Sequence, residues 1–141
     1  MTPFIAKLIE RGCVTVNTNS ALEKVVDMLV EWRIGTVVVV DDIDMQVLGI
    51  LSERDIIRHL SDQKTLAGMV AQDLMTAEVI TVDQQVTSSE LMHLMTKNRI
   101  RHVPITKDNK LVGIVSIGDV VKRMLEKYER ETELIKQFIN S

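Results

Sequence analysis

Cysteine, proline and aromatic side chains are scarce in this 141-residue chain, and the net charge is not positive but -3. The single cysteine, Cys13, rules out an intrachain disulfide. It reads as a small apolar residue beside a strand, with a redox-sensing thiol as the alternative. With one Trp, one Tyr and two Phe, the core must be built from aliphatic side chains and some of the eight Met. The longest apolar run, around Ile34 to Val40, suits a buried strand and falls far short of the ~20 residues of a membrane span. Lys7, Glu10 and Arg11 interrupt the N-terminal pattern, so no signal-peptide core stands there, and a cytoplasmic protein without a membrane segment is expected. No basic tract offers a surface for nucleic acid. His59, His93 and His102 fall in different elements with no Cys or carboxylate at ligand spacing, which speaks against a metal site. Phosphate-binding glycine loops and nucleophile–base arrangements are also missing, so no catalytic residue is expected.

What the chain does have is an internal repeat. Val14-Thr15-Val16-Asn17 matches Ile80-Thr81-Val82-Asp83, and Arg33-Ile34-Gly35-Thr36-Val37 matches Arg99-Ile100-Arg101-His102-Val103, both at a spacing of 66 residues. Leu48-Gly49-Ile50-Leu51-Ser52-Glu53-Arg54-Asp55-Ile56 matches Val112-Gly113-Ile114-Val115-Ser116-Ile117-Gly118-Asp119-Val120 at a spacing of 64. The lost two residues fall between Asp41–Asp44 and Lys107–Asn109, polar turns where length changes cost least.

Each copy is expected to run strand, helix, strand, strand, helix. Val14–Val16 and Ile80–Val82 are short β-branched strands. Ser20-Ala21-Leu22-Glu23 reads as a capping box opening a helix whose apolar face is Leu22, Val25, Val26, Leu29 and Trp32. Thr87-Ser88-Ser89-Glu90 opens its counterpart, with Leu91, Met92, Leu94 and Met95. Val37–Val40 and Val103–Thr106 are middle strands, Val47–Leu51 and Leu111–Val115 the third ones, and Asn109-Lys110 lies in a hairpin. Second helices begin at Ser52 and Ser116. The expected organisation is 1–60 for copy one with an N-terminal helix, 61–75 for a connector, 76–125 for copy two and 126–141 for a helical tail. Asp62, Gln63, Lys64 and Gly68 suggest a loop in the connector. The tail's Tyr128, Leu134, Ile135, Phe138 and Ile139 fit either packing on the module or a dimer contact. One copy of about 60 residues hardly stands alone, whereas two packed copies create two equivalent clefts.

The repeated Gly-x-x-Ser-x-x-Asp segment carries the chemistry. Ser followed three residues later by an acid is, first, a helix cap. It also offers a phosphate the free N–H groups and dipole of a helix start, and a ribose diol two carboxylate oxygens. Gly49 and Gly113 allow close approach of a ligand or another strand. Arg54 can neutralise phosphate with its forked donors or simply stand on the surface of a first helical turn.

A β-α-β-β-α repeat closed twice by Gly-hydrophobic-hydrophobic-Ser-x-x-Asp resembles the CBS domain, named after cystathionine β-synthase. The likeness covers roughly Cys13 to Leu125, and Ser52-Glu53-Arg54-Asp55-Ile56, Asp73-Leu74-Met75-Thr76 and Arg101-His102-Val103-Pro104 look like those of small bacterial stand-alone pairs. The resemblance implies an α+β fold, two repeats packed sheet to sheet with pseudo-two-fold symmetry. It also implies association of two modules into a homodimer and regulatory binding of AMP, ADP, ATP, NAD(H) or S-adenosylmethionine. On that resemblance Asp55 and Asp119 would hold ribose, Ser52 and Ser116 would sit near sugar and phosphate, and Thr15 and Thr81 would line base and ribose. Val37, Val103 and Pro104 would wall the adenine, with Thr36 beside them. Arg101 and His102 would reach phosphate held by the other copy or form a solvated basic edge. The cleft uniting Ser52, Arg54, Asp55, Arg101 and His102 is then expected to be the more basic one. A sensor signalling to an unknown protein target is the favoured function. The alternatives are a ligand-free interaction scaffold and a nucleotide hydrolase.

Overall fold

The computed structural model describes residues 1–63 and 65–141; Lys64, expected in the connector loop, lies outside the described residues. The elements run α1 (Pro3–Arg11), β1 (Thr15–Val16), α2 (Leu22–Trp32), β2 (Thr36–Val40), β3 (Val47–Ser52), α3 (Glu53–Gln63), α4 (Ala71–Leu74), β4 (Val82–Asp83), α5 (Ser88–Asn98), β5 (His102–Lys107), β6 (Lys110–Ser116) and α6 (Ile117–Asn140). Two three-stranded sheets form, ordered β1-β2-β3 and β4-β5-β6. In each, the first pair is parallel and the second antiparallel. The repeat is thus a repeat of topology as well as of sequence.

β2 is buried on both faces, which is why it reads as an unbroken valine run. Val37 and Val39 face a core of Leu22, Val25, Leu29, Leu51 and Ile56. Val38 and Val40 face the opposite way and meet Leu111, with Ile114 packed alongside. That second cluster joins the copies, and the Leu111 N–H donates to the Met45 carbonyl across the same seam at 3.0 Å. In copy two, Leu91, Met95, Val103, Ile105, Val115 and Val120 form the matching core.

The helices that complete these cores are exchanged along the chain. α1 precedes copy one, yet its Ile5 and Leu8 are buried in the core of copy two. α4 precedes copy two, and its Ala71 is buried in the core of copy one. Ile5 and Ala71 stand 66 residues apart, so α1 and α4 are themselves repeat mates that the strand pattern alone did not reveal. The conserved geometry explains the glycines before each Ser. A Cβ on Gly49 would lie 2.5 Å from Met75 Sδ, and one on Gly113 would lie 3.4 Å from the Ile9 Cα. The close neighbour is α1 for Gly113 and the connector just after α4 for Gly49.

Some local expectations differ. α2 starts without a side-chain cap, because the Ser20 hydroxyl instead accepts from the Asn17 N–H at 2.9 Å, closing the turn before the helix. The Thr87 cap of α5 forms as expected, its hydroxyl oxygen accepting from the Glu90 N–H. Trp32 is 61% exposed; it sits at the last position of α2, past the stretch that the sheet covers. Both α2 and α5 end in left-handed arginines, Arg33 and Arg99, followed by the Ile34 and Ile100 N–H groups donating five residues back. α6 is one 24-residue helix, about 36 Å long at 1.5 Å per residue. Tyr128, Leu134, Ile135, Phe138 and Ile139 are all exposed on it, so the tail does not pack on its own module.

Candidate functional site

At Ser52 a strand becomes a helix. The Ser52 N–H and hydroxyl both donate to Asp55 Oδ2 at 2.9 Å, and the Asp55 N–H donates to Ser52 Oγ at 3.3 Å. Copy two repeats the arrangement: the Ser116 N–H and hydroxyl donate to Asp119 Oδ2 at 2.9 and 3.0 Å, and the Asp119 N–H returns to Ser116 Oγ at 3.1 Å. Capping is therefore real in both copies. It occupies only one oxygen of Asp55, and Oδ1 has no protein hydrogen bond among the described residues.

A cleft of about 380 Å³ opens beside this cap. From copy one it is lined by Gly35, Thr36, Ile50, Ser52, Glu53, Arg54 and Asp55; from the chain leading into copy two by Thr76, Glu78, Val79 and Ile80; and from copy two by Arg99, Ile100, Arg101 and His102. The volume suits a nucleoside-sized ligand. The wall is apolar along Ile50, Val79, Ile80 and Ile100, with polar groups at its rim. Thr36 Oγ1 and His102 Nδ1 meet at 3.4 Å. They are repeat mates, so the pseudo-two-fold axis passes between them. Burial, reinforced by Arg101 and opposed by Asp119, holds the His102 imidazole below its ordinary pKa of 6.5, and the ring is neutral at pH 7.

The structure brings together six of the expected site residues: Thr36, Ser52, Arg54, Asp55, Arg101 and His102. Val37, Val103 and Pro104 are buried in the sheets behind the cleft rather than on its wall. Thr81 follows Ile80 just outside the lining, immediately before β4, and Thr15 lies on β1 away from it. Charge also differs from expectation. Arg54, Arg99 and Arg101 are matched by Glu53, Asp55 and Glu78, and His102 adds no charge, so the cleft is balanced rather than basic. Glu53 fills an unspecified position of the Ser-x-x-Asp motif, so the cap itself carries no signal for it. Glu78 and Arg99 carry no motif; only the repeat, which puts Arg99 opposite Arg33, marks the latter.

Asp119 has a different setting. Arg11 Nη1 donates to Asp119 Oδ1 and Arg11 Nη2 to Oδ2, each at 3.0 Å, and Nη2 also donates to the Ile114 carbonyl at 3.0 Å. Burial works to raise the Asp119 carboxyl, and the hydrogen bonds from Arg11 and Ser116 outweigh it, holding it below the ordinary value. Lys7, Arg11, Lys122, Arg123 and Arg130 line the groove beside Asp119, with Glu126. α1 and α6 thus supply cations around Asp119 that lie outside the repeat motif. Among the described residues, no three His, Cys, Asp or Glu side chains gather as metal ligands, and no helix is long and apolar enough to cross a membrane.

A family model for the CBS domain matches residues 5–62 and again 70–126. The chain is 35% identical over 130 residues to the CBS domain-containing protein CBSX3, mitochondrial, of Arabidopsis thaliana, covering 86% of this chain and 61% of that protein. It is 38% identical over 106 residues to a 33.4 kDa protein of Thermofilum pendens, covering 75% of this chain and 34% of that one. Less than two thirds of either relative is therefore spanned. Among solved structures, the CBS-domain containing protein ATU1752 of Agrobacterium tumefaciens is 36% identical, with a TM-score of 0.75 over 84% of this chain and 96% of that chain. The CBS domain pair of protein MJ0100, solved with 5′-methylthioadenosine and S-adenosyl-L-methionine, is 25% identical with a TM-score of 0.71, covering 79% and 91%.

Proposed function

This chain belongs to the CBS-domain family as a tandem pair, and from that membership we propose that it is a regulatory module taking an adenosine-type ligand in the cleft on Ser52 and Asp55. The observation that carries this reading is the convergence of both copies on one cleft. Asp55 presents a spare carboxylate oxygen there, apolar residues line the wall, and arginines of opposite copies, Arg54 and Arg101, stand at the rim. A ribose diol donates to the acid, the base lies along the apolar wall, and a phosphate meets the helix start and a guanidinium. The ligand held by the MJ0100 pair is of this chemical class.

Charge balance refines the choice. Three arginines facing three carboxylates favour an uncharged adenosine derivative or AMP over ATP, whose extra phosphates would meet Glu53 and Glu78. Signalling follows if the ligand binds one relative arrangement of the copies better than another, changing the surface shown to a protein target. Association of two modules would cover the exposed Ile57, Leu60, Val121 and Leu125.

Isothermal titration with AMP, ATP, NAD(H) and S-adenosylmethionine tests the reading. Binding of at least one, with the tighter site lost in Asp55→Ala, is the expected result. ATP binding tighter than AMP would contradict the charge argument. A ligand-free scaffold remains the second reading, favoured by the fact that Ser52 and Asp55 satisfy each other as a cap. It predicts no heat and no thermal shift with any of the four.

A further inference from the structure

The two capping acids are repeat mates, yet only one has its outer oxygen free. Arg11 stands 66 residues before Ala77, and a methyl group there cannot reach Asp55 as the guanidinium reaches Asp119. The backbone explains how the difference arises. α4 ends at Leu74, so Thr76 is extended and exchanges two backbone hydrogen bonds with Ile50, at 3.0 and 2.9 Å. α1 stays helical through Arg11, so the equivalent backbone never reaches Ile114. The Arg11 side chain bonds the Ile114 carbonyl instead and grips both oxygens of Asp119.

We infer that Arg11 is an internal occupant of a second cleft, the repeat's counterpart of the first built on Ser116 and Asp119, holding the acceptor oxygens of Asp119 that a ribose diol needs. Each chain then presents one ready adenosine site, at Asp55, and one that opens only when Arg11 lets go. This rests on the adenosine-ligand reading above. Release has a mechanical meaning, since Arg11 is the last residue of α1 and, among the described residues, its side chain bonds Asp119 and Ile114 alone. A ligand entering the second cleft loosens the C-terminal end of α1, so that occupancy of that cleft is read at the N-terminal helix. The Arg11 side chain is 50% exposed and that of Asp119 19%, so the pair is strained by neither burial nor crowding and can be displaced.

The test is calorimetry with adenosine and with AMP on the full chain in four forms: wild type, Arg11→Ala, Asp55→Ala and the double variant. Wild type should bind one equivalent with the higher affinity. Asp55→Ala leaves only the second cleft, and adding Arg11→Ala should tighten adenosine there about fivefold, the worth of a half-exposed bidentate pair. Hydrogen exchange of the α1 amides should speed up when that second site fills. Equal adenosine affinity in Asp55→Ala and the double variant overturns the inference, as does two equal sites in wild type. Weaker binding on removing Arg11 also overturns it, because Arg11 would then be a ligand contact. A purely structural Arg11 would lower the melting temperature and leave affinity unchanged. Silence in all four proteins overturns instead the adenosine reading on which the inference rests.

Discussion

A methyl group on Gly49 tests whether the connector is clamped to copy one. Its Cβ would lie 2.5 Å from Met75 Sδ, 2.9 Å from Met75 Cγ and 3.0 Å from the Thr76 carbonyl oxygen. Comfortable contacts with carbon lie near 3.5–4.0 Å. The Met75 side chain can swing aside, but the Thr76 carbonyl accepts from the Ile50 N–H at 3.0 Å and cannot move without breaking that bond. Forced overpacking costs about 1–3 kcal/mol. Replacing Gly stiffens the unfolded chain and returns about 0.4–1 kcal/mol of that. Gly49→Ala should therefore destabilise by about 1–2 kcal/mol, a fall in melting temperature of roughly 3–8 °C for a domain of this size. Gly113→Ala, whose nearest atoms are at 3.4 Å, should cost less than about 1 kcal/mol. Denaturant melts of Gly49→Ala, Met75→Ala and the pair complete a double-mutant cycle, with an expected coupling of about 1 kcal/mol. Additive losses, or a Gly49→Ala melt matching wild type, would refute the clamped connector.

Three further outcomes follow from the geometry. His102 is held below its ordinary value by burial and Asp119 below its own by Arg11 and Ser116, so each folded form resists protonation. Their stabilisation is full above the unfolded values and is lost on acidification, first below the ordinary 6.5 of His102 and then below the ordinary 3.8 of Asp119; melting temperature should fall from pH 7 to 5, and His102→Gln should flatten that segment. A melting temperature that rises over this range would count against the burial of His102. Burial pushes the Cys13 thiol up to about 11, with Arg11 opposing, so alkylation by iodoacetamide at pH 8 should be on the order of 100-fold slower than in urea, and equal rates would contradict the burial. Asp108 and Asn109 both have positive φ in the two-residue turn between β5 and β6, so Asn109→Gly should raise stability by about 0.5–1 kcal/mol in a denaturant melt; a loss would mean that the turn relies on the Asn side chain.

Much of this was legible from the repeat. The spacing of Thr15 to Thr81 and of Gly49 to Gly113 placed five of the six strands and the four longer helices of the copies, with β4 starting at Val82 rather than Ile80, and the family match at 5–62 and 70–126 agrees with the repeat. The Ser-x-x-Asp caps were legible because a cap is local: its partners lie three residues apart. What escaped depends on contacts remote in sequence. Arg11 finds Asp119 across 108 residues, and no periodicity in α1 announces that partner. The balanced charge of the cleft escaped for a related reason, since Glu78 and Arg99 enter it from copy two on segments chosen by how the sheets meet. Val37 and Val103 are so apolar that they serve the core, and a wall against a ligand needs a face left uncovered.

The exchanged helices bear on how the protein comes into being. Copy one lacks α4 until residues 71–74 have been made, and copy two takes its α1 from the opening residues of the chain. A nascent chain leaving the ribosome thus carries an amphipathic α1 whose resting place has yet to be synthesised. Cutting the gene midway would give two fragments, each owning the helix the other needs. The smallest piece expected to mature by itself is the interleaved pair, since each copy's core is closed by a helix from the other's stretch of chain.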